Sequence, residues 1–173
     1  MDDFARSIGV GDHITADALA SMRRRDLEAL YAEASVPDSL EELDGDPRGI
    51  VLAVPGLDRE PLASALRRVA SWENLPWQGK SFLSHGDERG EGVNRFRLLG
   101  ELASFSTSLD RSTVDGLPCV VLDYDRPENP WPLRAVRDEL REVAPGLCFG
   151  PATIQVGGRR LTFLYFAVDY GAG

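Results

Sequence analysis

Four side chains in this sequence are of types that could carry chemistry: Lys80, Asn94, Asp123 and Tyr124. Lys80 is the single lysine of a chain with eighteen arginines, and so its one side-chain amine. In Trp77-Gln78-Gly79-Lys80-Ser81-Phe82, strand alternation puts Lys80 on the face of Gln78 and Phe82, with Trp77 and Gly79 opposite. If the Phe82 face is interior, the amine is buried. Burial draws a lysine's pKa down unless a carboxylate pairs with it, which can make a nucleophile or a general base. The plainer alternative is a lysine that reaches the rim or is paired structurally. Asn94 aligns with Phe96 and Leu98 and must hydrogen-bond either a ligand or a loop backbone. Asp123, beside Tyr124, is placed to act as a base, to pair with Lys80 or an arginine, or to cap the following loop.

Further polar groups read in two ways. Asp138, Glu139 and Arg141 form an ion-pair ladder on a strand, or Arg141 clamps a ligand carboxylate. Trp77, Phe82, Phe96, Phe105, Phe163 and Tyr165, with Cys119, are core or the wall of a cavity. His85 falls in a glycine-rich loop and is expected to be exposed. Two cysteines, Cys119 and Cys148, and two histidines, His13 and His85, assemble no zinc spacing, so no metal and no cofactor are expected. Neither a nucleophile elbow, a phosphate loop nor a dinucleotide fingerprint occurs.

The elements that must position these groups are mostly strands. Residues 15–34 read as a helix, with Leu19, Met22, Leu27, Leu30 and Tyr31 near one stripe. A second helix is predicted over 58–72, with Asp58 as cap and Pro61 in its first turn. Strands are expected at 48–54, 77–84, 93–99, 102–109, 117–124, 147–156 and 160–170, with a long hairpin tip at 85–92. Segment 135–143 fits a helix by spacing, but Ala144-Pro145-Gly146 turns it straight into the next strand. Taken as a strand, it brings the count to eight, the number that closes a small antiparallel barrel with no exposed edges. The strands 117–124 and 160–170 are apolar on both faces, so part of the barrel's outside needs a cover. The two helices can provide it, or a homodimer.

Length and charge narrow the class. At 173 residues the chain suits one domain, a helical lead (1–44) followed by a barrel (45–173). A net charge of −9 disfavours nucleic acid and anionic membranes as partners. No signal peptide and no apolar run long enough to span a bilayer are seen, which places the expected location in the cytoplasm.

The residues Leu43-Asp44-Gly45-Asp46-Pro47-Arg48-Gly49, then Trp77-Gln78-Gly79-Lys80-Ser81-Phe82, resemble the small bacterial proteins named for a GXWXG motif. Those are calycin-like barrels, related in shape to lipocalins, fatty-acid-binding proteins and nitrobindins. The family's opening element falls on Gly45, Pro47 and Gly49, and its second on Trp77, Gly79, Lys80 and Phe82. The run Asp138–Val143, then Leu147-Cys148-Phe149-Gly150 and Tyr165-Phe166, is similar to the family's final strands. Pro47 stands where the tryptophan is expected, so the plug at the barrel floor is missing or comes from elsewhere. The resemblance implies a mainly β fold with flanking helices, an eight-stranded antiparallel barrel able to hold an apolar or amphipathic small molecule. Neither histidine sits on a convincing strand, which argues against nitrobindin-type haem.

Three functions follow, and the barrel interior discriminates among them. An open apolar cavity with a few polar groups suits a binding protein for a hydrophobic small molecule. Convergence of Lys80, Asn94 and Asp123 or Tyr124 suits a cofactor-independent enzyme, such as a cyclase or isomerase of a polyketide- or terpene-like substrate. A filled interior suits a partner-binding module.

Overall fold

The computed structural model describes residues 14–53 and 77–171. Eight antiparallel strands close into a barrel in sequence order: β1 (Arg48–Ala53), β2 (Trp77–Ser84), β3 (Arg89–Phe96), β4 (Gly100–Arg111), β5 (Pro118–Asp123), β6 (Val136–Ala144), β7 (Leu147–Val156) and β8 (Arg159–Asp169). β8 returns to pair with β1, and this leaves no open edge. The ambiguous segment is a strand: β6 pairs with β5 and β7 along its length. The expected helix at 58–72 lies outside the described residues.

Two expectations are corrected. The 85–92 tip is shorter than predicted, because Ser84 pairs with Gly90 and β3 starts at Arg89. The N-terminal helix is two helices, α1 (Ala16–Ser21) and α2 (Arg24–Glu33), separated by extended Met22 and Arg23. Thr15 caps the first by accepting from the Ala18 amide. Arg23 folds forward onto Asp26 in the first turn of the second. The break lets Leu19, Leu27 and Tyr31 all bury against a curved wall made by Leu147, Phe149, Tyr165 and Ala167. That wall is the outer apolar face of β7 and β8, so the N-terminal helices are one of its covers.

Inside, Phe82, Phe105, Val120, Leu122, Leu140, Phe166 and Val168 form the main core. Its floor is closed by a short 3-10 helix, Leu40–Leu43, whose two leucines are buried in that core. The Tyr170 hydroxyl donates to the Leu43 carbonyl and fixes this plug. Closure thus comes from residues ahead of Pro47.

Register slips decide which side chains enter the barrel. A slip between Trp77 and Gly79 turns Trp77 inward, so it joins the interior wall as expected, although strict alternation puts it on the face opposite Lys80. A second slip, at Ala152/Thr153 opposite β8, separates Phe163, which joins the interior, from Tyr165, which lies outside under the helices. Alternation alone had put these two on one face; an extra residue in one strand reverses the parity beyond it.

β1 meets β2 at one register pair, Arg48 with Gly79. Gly79 has φ +139°, and a Cβ there would strike the Pro47 carbonyl oxygen and lie 2.7 Å from the Gly49 nitrogen. The Trp77 ring covers Gly49 just as closely. Gly79→Ala is therefore expected to lose about 2–3 kcal/mol of stability, read as a lower urea midpoint, whereas an unchanged midpoint would mean the seam can spread at no cost.

Candidate functional site

β2, β3, β5 and β6 each send one polar group into the apolar interior, and the four meet. Lys80 is 2% exposed, Asn94 6% and Asp138 4%, and the Tyr124 phenol is equally buried at the end of β5. The Lys80 Nζ donates to Asn94 Oδ1 at 2.9 Å, to the Tyr124 hydroxyl at 2.6 Å and to Asp138 Oδ2 at 2.9 Å. Three acceptors match the three protons of an ammonium, so the geometry calls for the charged amine. Burial pulls its pKa below the ordinary lysine range, and the Asp138 carboxylate pulls it back up.

The other members are saturated in turn. The Tyr124 hydroxyl accepts from Lys80 and from Asn94 Nδ2, at 2.9 Å, and donates to Asp138 Oδ2 at 3.0 Å. Burial first, then the Asp138 charge, hold this phenol well above its usual pKa, so it keeps the proton it donates. Asn94 Oδ1 also accepts from the Trp77 indole N–H, and Asn94 Nδ2 also donates to the Ala103 carbonyl. Ala103 has φ +63°, alone among the described non-glycine residues, at the point where β3 and β4 slip register. Asn94 thus ties the site to a strained bulge. One atom is unmatched: Asp138 Oδ1, buried with no hydrogen-bond partner.

Aromatic rings enclose the cluster. The ammonium lies 4.9 Å from the Phe166 ring centre, 5.1 Å from Phe105, 5.3 Å from Tyr124 and 5.6 Å from Trp77. These distances are within reach of cation–π attraction, which offsets part of the lost hydration. Phe82 and Phe163 complete the apolar surround, and Phe96 is buried beside Trp77 in register.

The other sequence candidates lie elsewhere. Asp123 is outside the cluster, where its carboxylate accepts from the Asp125 amide and caps the loop. The ladder Asp138–Glu139–Arg141 does not exist as one: Asp138 points inward, and the other two point out. Arg141 is no interior clamp. It makes a bidentate pair with Asp115 at 2.7 and 2.8 Å, donates to the Tyr31 and Pro118 carbonyls, and stacks 4.1 Å from the Tyr31 ring centre. Glu139 accepts from Ser112, from Thr113 backbone and side chain, and from the Tyr31 hydroxyl. Together they clasp α2 and the β4–β5 loop onto β6. Cys119 shares this outer side, its thiol pushed up to about 12 by burial. His85 is exposed near Glu91. Among the described residues no group of three or more His, Cys, Asp or Glu side chains could hold a metal, and no helix is long and apolar enough to cross a membrane.

Two clefts flank the barrel at opposite ends. One of about 470 Å³ lies by Asp123, Trp131, Arg134, Val136 and Arg160. The other, about 340 Å³, lies by Leu43, Glu142, Cys148 and Tyr170 beside the floor plug. Val136 of the first cleft is two residues along β6 from Asp138, one layer above the polar cluster.

The missed member of the site is Asp138. Its signal was alternation: it shares a strand face with Val136 and Leu140, both apolar, while Glu139 and Arg141 share the other. Removing one partner of a buried pair typically costs about 3–5 kcal/mol, and replacing both with apolar groups costs far less. Lys80→Met is thus expected to destabilise by about that much, and adding Asp138→Leu to restore part of the loss. Additive losses in a urea double-mutant cycle would show that the two residues do not act as a pair.

No protein-family model matches the chain, and no curated protein sequence matches it. It is similar in structure to a protein from Thermomonospora curvata solved by crystallography, with 17% identity and a TM-score of 0.52 over 87% of this chain and 89% of that one. At that identity the likeness is one of fold: a closed eight-stranded antiparallel β-barrel with flanking helices.

Proposed function

We propose that this protein is a calycin-like barrel that binds a hydrophobic or amphipathic small molecule in its interior. The observation that carries the reading is the apolar, aromatic surround of a small polar cluster. A charge-neutral group of four side chains, walled by aromatic rings, sits at the heart of an otherwise apolar barrel. Small-molecule sites share that composition, mostly apolar and aromatic lining with a few placed polar groups. A purely structural core would be simpler without it, since well-packed apolar residues often match or exceed a buried ion pair in stability. The cleft lined by Val136, two residues along β6 from Asp138, is the approach this reading requires. Native mass spectrometry of the protein as purified should show a retained small molecule, released on denaturation. Bare chain mass, with no rise in melting temperature on adding lipid extract, would sink this reading.

A second reading is favoured by one contact, the 2.6 Å approach of the Lys80 ammonium to the Tyr124 hydroxyl beside Asp138. An ammonium, a phenol, an amide and a carboxylate in one apolar enclosure can orient a polyene or enolisable substrate and move a proton without a metal. A cyclase or isomerase would use them so. Cells expressing the wild type should then accumulate a product that cells expressing Tyr124→Phe lack, and identical metabolite profiles would remove catalysis.

A further inference from the structure

We infer that the molecule taken into the barrel is a neutral hydrogen-bond donor, an alcohol, phenol or amide N–H, which donates to Asp138 Oδ1, and that carboxylates are rejected. This rests on the small-molecule reading above and narrows its ligand class.

The protons and lone pairs of the cluster are nearly all spent. Lys80 has spent all three N–H groups. Asn94 has spent both amide protons, and its oxygen accepts twice. Tyr124 accepts twice and donates once. The Trp77 N–H is used. What is left is an acceptor, Asp138 Oδ1, and a carboxylate oxygen can only accept. A partner for it must bring a proton, and leaving such an oxygen bare in an apolar setting is costly.

Charge then selects among donors. Lys80 and Asp138 cancel. An incoming carboxylate would meet a like charge at Asp138, and Lys80 and Arg141, the only buried cations among the described residues, are already paired with carboxylates. The less buried Arg95 and Arg137 donate through Nη2 to backbone carbonyls of Asp46, Pro47 and Arg111 and keep an Nε–H each with no hydrogen-bond partner, but they alternate with Asn94 and Asp138 onto the opposite face of their strands. An ammonium ligand would crowd the Lys80 charge within the same aromatic enclosure. A neutral donor incurs neither penalty, and a planar one can lie against Trp77, Phe105 or Phe166.

Three matched probes test this by isothermal titration calorimetry at neutral pH, where a phenol keeps its proton. The expected order is 2-naphthol at least tenfold tighter than 2-methoxynaphthalene, with no detectable binding of 2-naphthoate. Asp138→Asn, which can present an N–H in place of the oxygen, should abolish or reverse the preference for naphthol over its ether. If that variant does not fold, the three probes on the wild-type protein decide alone. Equal affinity for naphthol and ether, or tightest binding of naphthoate, overturns the donor rule while leaving a small-molecule barrel standing. If none of the three binds, the inference falls, and the native mass spectrum separately decides whether the barrel holds a ligand at all.

Discussion

The ion pair between Lys80 and Asp138 sets conditions that the rest of the barrel has to meet. Two charges 2.9 Å apart in an apolar interior are tolerable only if the remaining protons and lone pairs find partners. Asn94 and Tyr124 provide most of them, and each needs a strand placed to deliver it. The pair therefore links β2 to β6 across the interior, with β3 and β5 contributing the two neutral groups. The same demand explains two backbone irregularities. The slip at Trp77 brings the indole N–H to Asn94, and the Ala103 bulge turns a carbonyl toward the Asn94 amide.

A second polar assembly solves a different problem on the outside of β6. Glu139 and Arg141 alternate with Asp138 and Leu140 and have no water to face, since α2 and the β4–β5 loop lie over them. Every oxygen of Glu139 is matched by donors from those covering segments, and Arg141 holds Asp115 and the end of α2. One strand thus carries charge on both faces. The inner charge organises a candidate site, and the outer ones attach the cover.

Much of the barrel was legible because strand periodicity and turn chemistry agreed. Asp115-Gly116, Gly157-Gly158 and Ala144-Pro145-Gly146 all mark turns between observed strands, and the eight-strand count favoured a strand over 135–143, found at Val136–Ala144, where periodicity was ambiguous. Lys80 and Asn94 were visible as polar residues in register with phenylalanines. What sequence could not show is where parity breaks. Unbroken alternation keeps Phe163 with Tyr165 and sets Trp77 opposite Lys80, and a slip in each of two strand pairs undoes this, sending Tyr165 alone outside. The Lys80 partner was missed for a related reason. Asp123 and Asp138 both lie on strands that line the barrel; alternation with Val136 and Leu140 marked Asp138, and the pairing of Leu122 with Asp138 shows that it is the one turned inward. The break between α1 and α2 was equally hidden, since it answers the curvature of a wall that local propensity does not contain.

The lone lysine has a practical corollary. With its cationic surface made of guanidinium groups alone, the folded chain has no exposed side-chain amine among its described residues, and Lys80 sits at the centre of the barrel. An amine-directed reagent reaches that position only by entering the barrel, along a ligand's route or between parted strands. Acylation of Lys80 is thus a built-in clock for access to the barrel interior, read as a mass increment mapped to a known side chain.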